Sequence, residues 1–104
     1  MIVERLTFQA KYGQGDALVA LNKEVFALMK RRGLSSTGRI YTDATGTMFT
    51  VALEQEFADM AAYAKAFAGD TAMYADKEFQ DWFAKMVAVT EKGERQLFNV
   101  ETVS

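Results

Sequence analysis

The apolar positions of this chain change period several times, and each change marks an element. From Ile2 to Lys11 they alternate, with Ile2, Leu6, Phe8 and Ala10 on one side and Arg5, Thr7, Gln9 and Lys11 on the other. Glu4 is out of place on the first side and Val3 on the second. A period of two predicts a strand with one apolar face. Gly13, Gln14, Gly15 and Asp16 break it, and Asp16 is a candidate cap for a helix with apolar positions Leu18, Leu21, Val25, Leu28 and Met29. Lys30, Arg31 and Arg32 suit the negative end of that helix's dipole, and Gly33 suits the left-handed turn that ends it.

From Ser36 the period returns to two and sets Arg39, Tyr41 and Asp43 against Gly38, Ile40 and Thr42. Turn chemistry follows at Asp43-Ala44-Thr45-Gly46. Thr47 to Gln55 then resumes as a strand, with Phe49, Val51 and Leu53 opposed to Met48, Thr50, Ala52 and Glu54, so the pair predicts a hairpin. Helical period takes over from Glu56 to Val89. A first stripe runs through Phe57, Met60, Ala61, Ala64, Phe67 and Ala68; Gly69 and Asp70 interrupt it, and Asp70 or Thr71 offers a cap for a restart. The second stripe, Phe79, Trp82, Phe83, Met86 and Val87, is an aromatic wall that needs a broad partner. Lys92 and Gly93 predict the stop, and Arg95 to Val103 a last strand, with Phe98 and Val100 opposed to Leu97, Asn99 and Glu101.

The order is βαββαβ. It predicts an α+β, ferredoxin-like fold: a four-stranded antiparallel sheet with two helical segments on one face, as a single domain over residues 1–104. The helix-covered face is expected to hold Leu6, Phe8, Ile40, Phe49, Val51, Leu53, Phe98 and Val100. Arg5, Thr7, Gln9, Arg39, Tyr41, Met48, Thr50, Ala52, Leu97 and Asn99 fall on the other face. With Val3 added, Met48, Tyr41, Ala52 and Leu97 give that second face more apolar area than an open sheet usually shows to water. A second copy of the chain is the simplest cover, since a two-fold axis lets one self-complementary patch serve both protomers.

Composition narrows the chemistry. Half of the residues are apolar, enough for a core without covalent staples. Neither Cys nor His occurs, which removes disulfides, thiolate and imidazole metal sites, cysteine nucleophiles and His-dependent triads. The expectation is a protein without metal or cofactor, with carboxylates, Lys, Tyr and Arg as its titratable groups. Proline is absent too, so every turn rests on Gly, Asp and Thr. Apolar runs fall well short of the roughly 20 residues that a membrane span needs, and no signal peptide is visible at the amino terminus, which predicts a cytoplasmic protein. A net charge of −2 offers little long-range attraction for phosphate backbones and argues against a nucleic-acid partner.

Several side chains are candidates for a binding site, each with a plainer reading beside it. Trp82 and Phe79 belong either to the core or to a pocket wall, and a buried Trp82 needs a partner for its indole N–H in both cases. Tyr63 and Tyr74 flank the Gly69-Asp70 interruption, where a phenol either reaches a ligand or packs at the solvent edge. Arg39 and Tyr41 share a face with Arg5, Gln9 and Asn99. There Arg39 either holds a carboxylate or enolate or joins an ion pair with Glu54 or Glu101 across a dimer interface.

The opening Met1-Ile2-Val3-Glu4-Arg5-Leu6-Thr7-Phe8, followed by a Gly turn and a helix, resembles the first strand of the dimeric α/β-barrel proteins, above all their NIPSNAP-like members. The aromatic second helical stretch, its break and the final strand are similar to the same superfamily and to its antibiotic-biosynthesis-monooxygenase branch. The resemblance implies a homodimer whose two sheets pack face to face as a barrel, with a cleft between sheet and helices in each protomer. Haem-degrading relatives use a His with an Asn and a Trp. This chain has Asn22, Asn99 and Trp82 but no His, so that activity does not carry over. Cofactor-free monooxygenase relatives use Asn, Tyr and Trp in the cleft on aromatic substrates. Two function classes follow: a cleft that binds a small apolar or aromatic metabolite, with cofactor-independent monooxygenase-like chemistry, or a non-catalytic homodimeric binding or interaction module.

Overall fold

The computed structural model describes residues 1–34 and 38–103 of the chain. Its elements are β1 (Ile2–Ala10), α1 (Gly15–Arg31), β2 (Arg39–Thr42), β3 (Thr50–Phe57), α2 (Met60–Ala72), a single 3-10 turn (Met73–Ala75), α3 (Lys77–Val89) and β4 (Thr90–Asn99). All four strands form one antiparallel-paired sheet in the order β2-β3-β1-β4, which is the ferredoxin-like arrangement.

Parity along β1 places its even residues under the helices. Ile2, Glu4 and Ala10 are buried, and from the neighbouring strand so are Val51 and Leu53. Leu18, Leu21 and Val25 of α1 and Trp82 and Met86 of α3 form one core cluster with Ala10 and Val51, and Leu28 of α1 is buried as well. Each fully buried Leu or Val removes enough apolar surface from water to contribute about 1.5–3 kcal/mol. The opposite face carries Arg5, Tyr41 and Phe98 in exposed positions.

Helix α1 ends as its sequence predicts. Gly33 takes φ +74°, its N–H reaches the Lys30 carbonyl at 3.1 Å, and the N–H of Leu34 reaches that of Met29 at 2.9 Å. Those paired bonds satisfy carbonyls that the helix end leaves open. Its start differs from expectation: the cap position is Gln14, with no side-chain hydrogen bond, and Asp16 lies in the first turn, where it still meets the positive end of the dipole.

The helical stretch divides elsewhere than predicted. Glu56 and Phe57 belong to β3, and the Asp59 carboxylate accepts the Ala62 N–H at 2.8 Å where α2 begins. The predicted restart at Asp70 or Thr71 is not observed, because α2 runs on to Ala72. Gly69 serves packing instead: a Cβ there would lie 3.0 Å from Leu34 Cδ2. The break is the Met73–Ala75 turn, after which the extended Asp76 accepts the Glu78 N–H at 2.9 Å and caps α3.

Two further expectations are corrected. Lys92 and Gly93 do not stop a helix; they lie within β4, which follows α3 directly. Gly93 stands opposite Phe8, and a Cβ there would meet the Phe8 ring at 2.9 Å, so the glycine makes room for an aromatic side chain across the strands. The pairing also inverts the predicted faces of β4. Asn99 stands opposite Ile2 and Leu97 opposite Glu4, on the helix side, whereas Phe98 stands opposite Val3 and turns outward. Hydrophobicity could not reveal this, since β4 is exposed along nearly its whole length. Met48 and Phe49 precede β3 in the turn, Phe49 with φ +62°, and the predicted strand start at Ser36 lies outside the described residues.

Candidate functional site

A cleft of about 640 Å³ opens between the sheet and the helices. Its floor is the helix-facing side of the sheet: Glu4, Leu6 and Phe8 of β1, Leu53 and Gln55 of β3, and Arg95 of β4. One wall is α1, through Asn22, Val25, Phe26 and Met29. The other is the aromatic wall of α3, where Phe79, Trp82, Phe83 and Met86 continue into Met73 and Tyr74 of the 3-10 turn. Helical spacing puts these α3 residues on one side, and the break at Met73–Ala75 turns Tyr74 toward the same space.

Trp82 lies both in the core and on the wall of the cleft. It is 9% exposed within the core cluster and lines the cleft, and its indole N–H donates to the Leu21 carbonyl at 2.7 Å. Phe79 lies against it with ring centroids 5.2 Å apart, and Tyr74 lies 5.5 Å beyond Phe79. This chain of rings is a large apolar surface held in fixed orientation.

Polar groups in the cleft are few. The Glu4 side chain, 10% exposed, accepts a hydrogen bond from the Tyr63 hydroxyl at 2.8 Å and faces Arg95 Nε at 3.4 Å. Tyr63 comes from α2, and the Arg95 guanidinium lies 5.1 Å over the ring of Phe67 in the same helix. A carboxylate on an otherwise apolar floor is costly unless so accompanied. Asn22, on α1, is 1% exposed; its Nδ2 donates to the Leu18 carbonyl at 2.9 Å, and its Oδ1 is buried with no partner among the described residues.

Arg39 and Tyr41 are elsewhere. They project from β2 to the opposite sheet face, where Arg39 lines a small recess with Glu54 and Glu56. There Tyr41 donates to Glu54 Oε1 at 2.9 Å and Arg5 Nε to Glu54 Oε2 at 2.7 Å, so Glu54 is paired within its own chain. The Arg5 hydrogen bond, helped by Tyr41 and by the nearby charge of Arg39, holds the Glu54 carboxyl below the usual carboxylate range. Asn99 does not join this group, because its strand parity turns it to the helix side, and it does not line the cleft.

Of the residues singled out in the sequence, then, Trp82, Phe79 and Tyr74 line the cleft and Tyr63 reaches into it through Glu4. Glu4, Asn22, Gln55 and Arg95 were not among the candidate binding residues. Glu4 had a signal, as the one charged residue on the apolar side of β1. Asn22 had one as well, standing within the helical stripe between Leu21 and Val25. Arg95 had none, since only strand pairing reveals its face.

The basic triplet does more than end α1. Arg31 Nη2 meets Glu78 Oε2 at 2.7 Å, and Arg32 meets Asp76 at 2.7 Å and Glu78 at 3.0 Å, tying the end of α1 to the start of α3 beside the cleft. The hydrogen bond from Arg32 is the main reason the Asp76 carboxyl is held low and the Arg32 guanidinium high. Among the described residues no group of His, Cys, Asp or Glu has an arrangement suited to a metal ion, and no helix is long and apolar enough to cross a membrane.

No sequence family matches the chain, and no curated protein matches it either. Solved structures do. A NIPSNAP family protein of unknown function from Agrobacterium tumefaciens superposes with a TM-score of 0.79 at 16% identity, over 100% of this chain and 91% of that one. For an uncharacterised NIPSNAP domain protein from Burkholderia xenovorans the TM-score is 0.76 at 18% identity, over 100% and 98% of the two chains. An antibiotic biosynthesis monooxygenase gives 0.66 at 16%, over 98% and 100%. The chain has the NIPSNAP-like fold. The resemblance suspected from element order and the first strand is thus found in the solved structures at the level of fold. At such identities it carries no residue roles, and the site has to be argued from its own geometry.

Proposed function

We propose that the protein binds a small, largely apolar or aromatic metabolite in the cleft between sheet and helices. One observation carries this reading: a cleft of about 640 Å³ whose walls are aromatic and aliphatic and whose polar groups reduce to a few, Glu4, Asn22, Gln55 and Arg95 among them. Ligand sites have that size and that balance, whereas a helix layer serving only as core would close on the sheet. Glu4 is the group fitted to move a proton. Its carboxylate takes one from an acidic C–H or O–H of the ligand, and Tyr63 holds it in place. In a monooxygenase-like reaction dioxygen is the co-substrate. The ligand supplies the electrons, one oxygen atom enters it, and the other leaves as water with the protons removed. The antibiotic biosynthesis monooxygenase that shares the fold supports this class of chemistry.

The second reading is a non-catalytic homodimeric binding module. It is favoured by the engagement of Glu4 with both Tyr63 and Arg95, which is also how a structural carboxylate is held. In either case a second copy covers the open sheet face, where Phe98 and Tyr41, each 41% exposed, lie beside Val3 and Ala52.

Native mass spectrometry on freshly purified protein tests these points together. A dimer with added small-molecule mass is the expected result, followed by oxygen-uptake measurements with the released compound. A monomer would remove the second copy from the sheet face. A dimer that takes up no aromatic compound from a panel would remove ligand binding and leave the interaction module.

A further inference from the structure

We infer that the ligand of this cleft is an aromatic monocarboxylate, and that the guanidinium of Arg95 holds its carboxylate while the ring lies against α3. The inference rests on the proposed ligand-binding role of the cleft and adds the class of ligand. Arg95 stands opposite Leu6 on the helix side of the sheet and lines the cleft. Its side chain is 51% exposed, so a molecule in the cleft has access to it. Arg95 differs from Arg5, Arg31 and Arg32, each of which donates to a carboxylate at 2.7 Å. It faces Glu4 with Nε at 3.4 Å, longer than a charge-assisted hydrogen bond, and donates a hydrogen bond to no described residue. Glu4 Oε2 already accepts from the Tyr63 hydroxyl. The guanidinium carbon lies 5.1 Å over the Phe67 ring, a contact that steadies the group and leaves its fork of N–H donors open to an acceptor.

Charge and shape select that acceptor. Glu4 and Arg95 are the charged side chains that line the cleft, and their charges cancel. A dianion such as a phosphate monoester would set two negative charges beside Glu4, and a monoanion sets one. The two oxygens of a carboxylate match the guanidinium fork, and its charge makes those bonds stronger than a neutral acceptor would. Phe79, Trp82, Phe83 and Met86 line the same cleft and take the apolar ring.

Naphthoate and naphthamide, of nearly the same shape, separate the possibilities by isothermal titration calorimetry at neutral pH. The wild-type protein is expected to bind naphthoate on the order of ten-fold more tightly. The double variant Glu4→Gln, Arg95→Gln leaves the net charge of the cleft as it was and is expected to bind both probes about equally. Equal binding by the wild type, or tighter binding of the amide, overturns the carboxylate assignment while the ligand-binding cleft stands. A preference that survives in the double variant overturns the role of Arg95. Binding of neither probe overturns the aromatic-ligand reading on which the inference rests. If the double variant does not fold, nitrogen–proton NMR of the wild type decides. The Arg95 Nε–H signal is expected to move further with naphthoate than with naphthamide, and identical responses to both would refute the contact.

Discussion

The hydroxyl of Tyr63 donates a 2.8 Å hydrogen bond to Oε2 of Glu4, joining positions 59 residues apart on the floor of an apolar cleft. The bond ties α2 to the central strand β1 and gives a buried carboxylate a donor. Tyr63→Phe keeps the ring, which packs edge-on against Phe57 at 5.3 Å, and removes the hydroxyl. We expect it to cost about 1.5–3 kcal/mol in urea unfolding, as for other hydrogen bonds to charged groups. A change within about 0.5 kcal/mol, the ordinary range for surface positions, would show that the bond does not hold Glu4.

Trp82 should be among the most costly residues to truncate. It is buried, hydrogen-bonded to Leu21 and in contact with Phe79. Trp82→Ala is expected to lose about 3–5 kcal/mol. A much smaller loss in urea unfolding would mean that the indole serves the cleft more than the core.

Acid should weaken the open sheet face. Glu54 has a carboxyl held below its ordinary 4.5 by Arg5, so its contribution is complete above that value and is lost as pH falls through the lowered folded value. The wild type should therefore melt above Glu54→Gln at neutral pH, with the gap narrowing once pH drops below about 4.5. Asp76, held low by Arg32, titrates in both proteins and cancels in the difference. A gap that stays constant down to strongly acid pH would refute the pairing.

Gly93→Ala places a Cβ 2.9 Å from the Phe8 ring, which is itself part of the cleft floor. The ring must move into the cleft or the strands must part. A loss of about 1–3 kcal/mol is expected, together with weaker binding of aromatic probes. Unchanged stability and unchanged probe affinity would mean that Phe8 yields freely.

Ala52→Asp tests the proposed second copy without touching the cleft. Ala52 stands between Thr7 and Tyr41 on the open face, so a face-to-face dimer would bury the new carboxylate unpaired. A shift from dimer to monomer in sedimentation is expected; an unchanged dimer would place the interface elsewhere.

Where the sequence reading held and where it missed follows from what each residue's environment rewards. Alternation in β1 and β3 was legible because one side of these strands is buried and hydrophobicity then marks the face. Alternation in β4 misled because both sides of that strand are exposed, so Phe98 and Leu97 feel similar surroundings and only pairing with β1 decides between them. Gly69 and Gly93 looked like stops because glycine often is one. Both are instead places where a neighbouring side chain, Leu34 or Phe8, comes too close for a Cβ, and such a contact has no local signature.

The sequence by itself determined the element order, the buried faces of β1, α1 and β3, the Gly33 helix end and the absence of thiol and imidazole chemistry, because these depend on composition and on period along one segment. The tertiary structure alone decided the face of β4, the place of the break before α3, the separation of Arg39 and Tyr41 from the aromatic wall, and the meeting of Glu4, Tyr63 and Arg95. Those depend on which distant segments touch, and sheet register and helix packing set such contacts across separations that no local pattern spans.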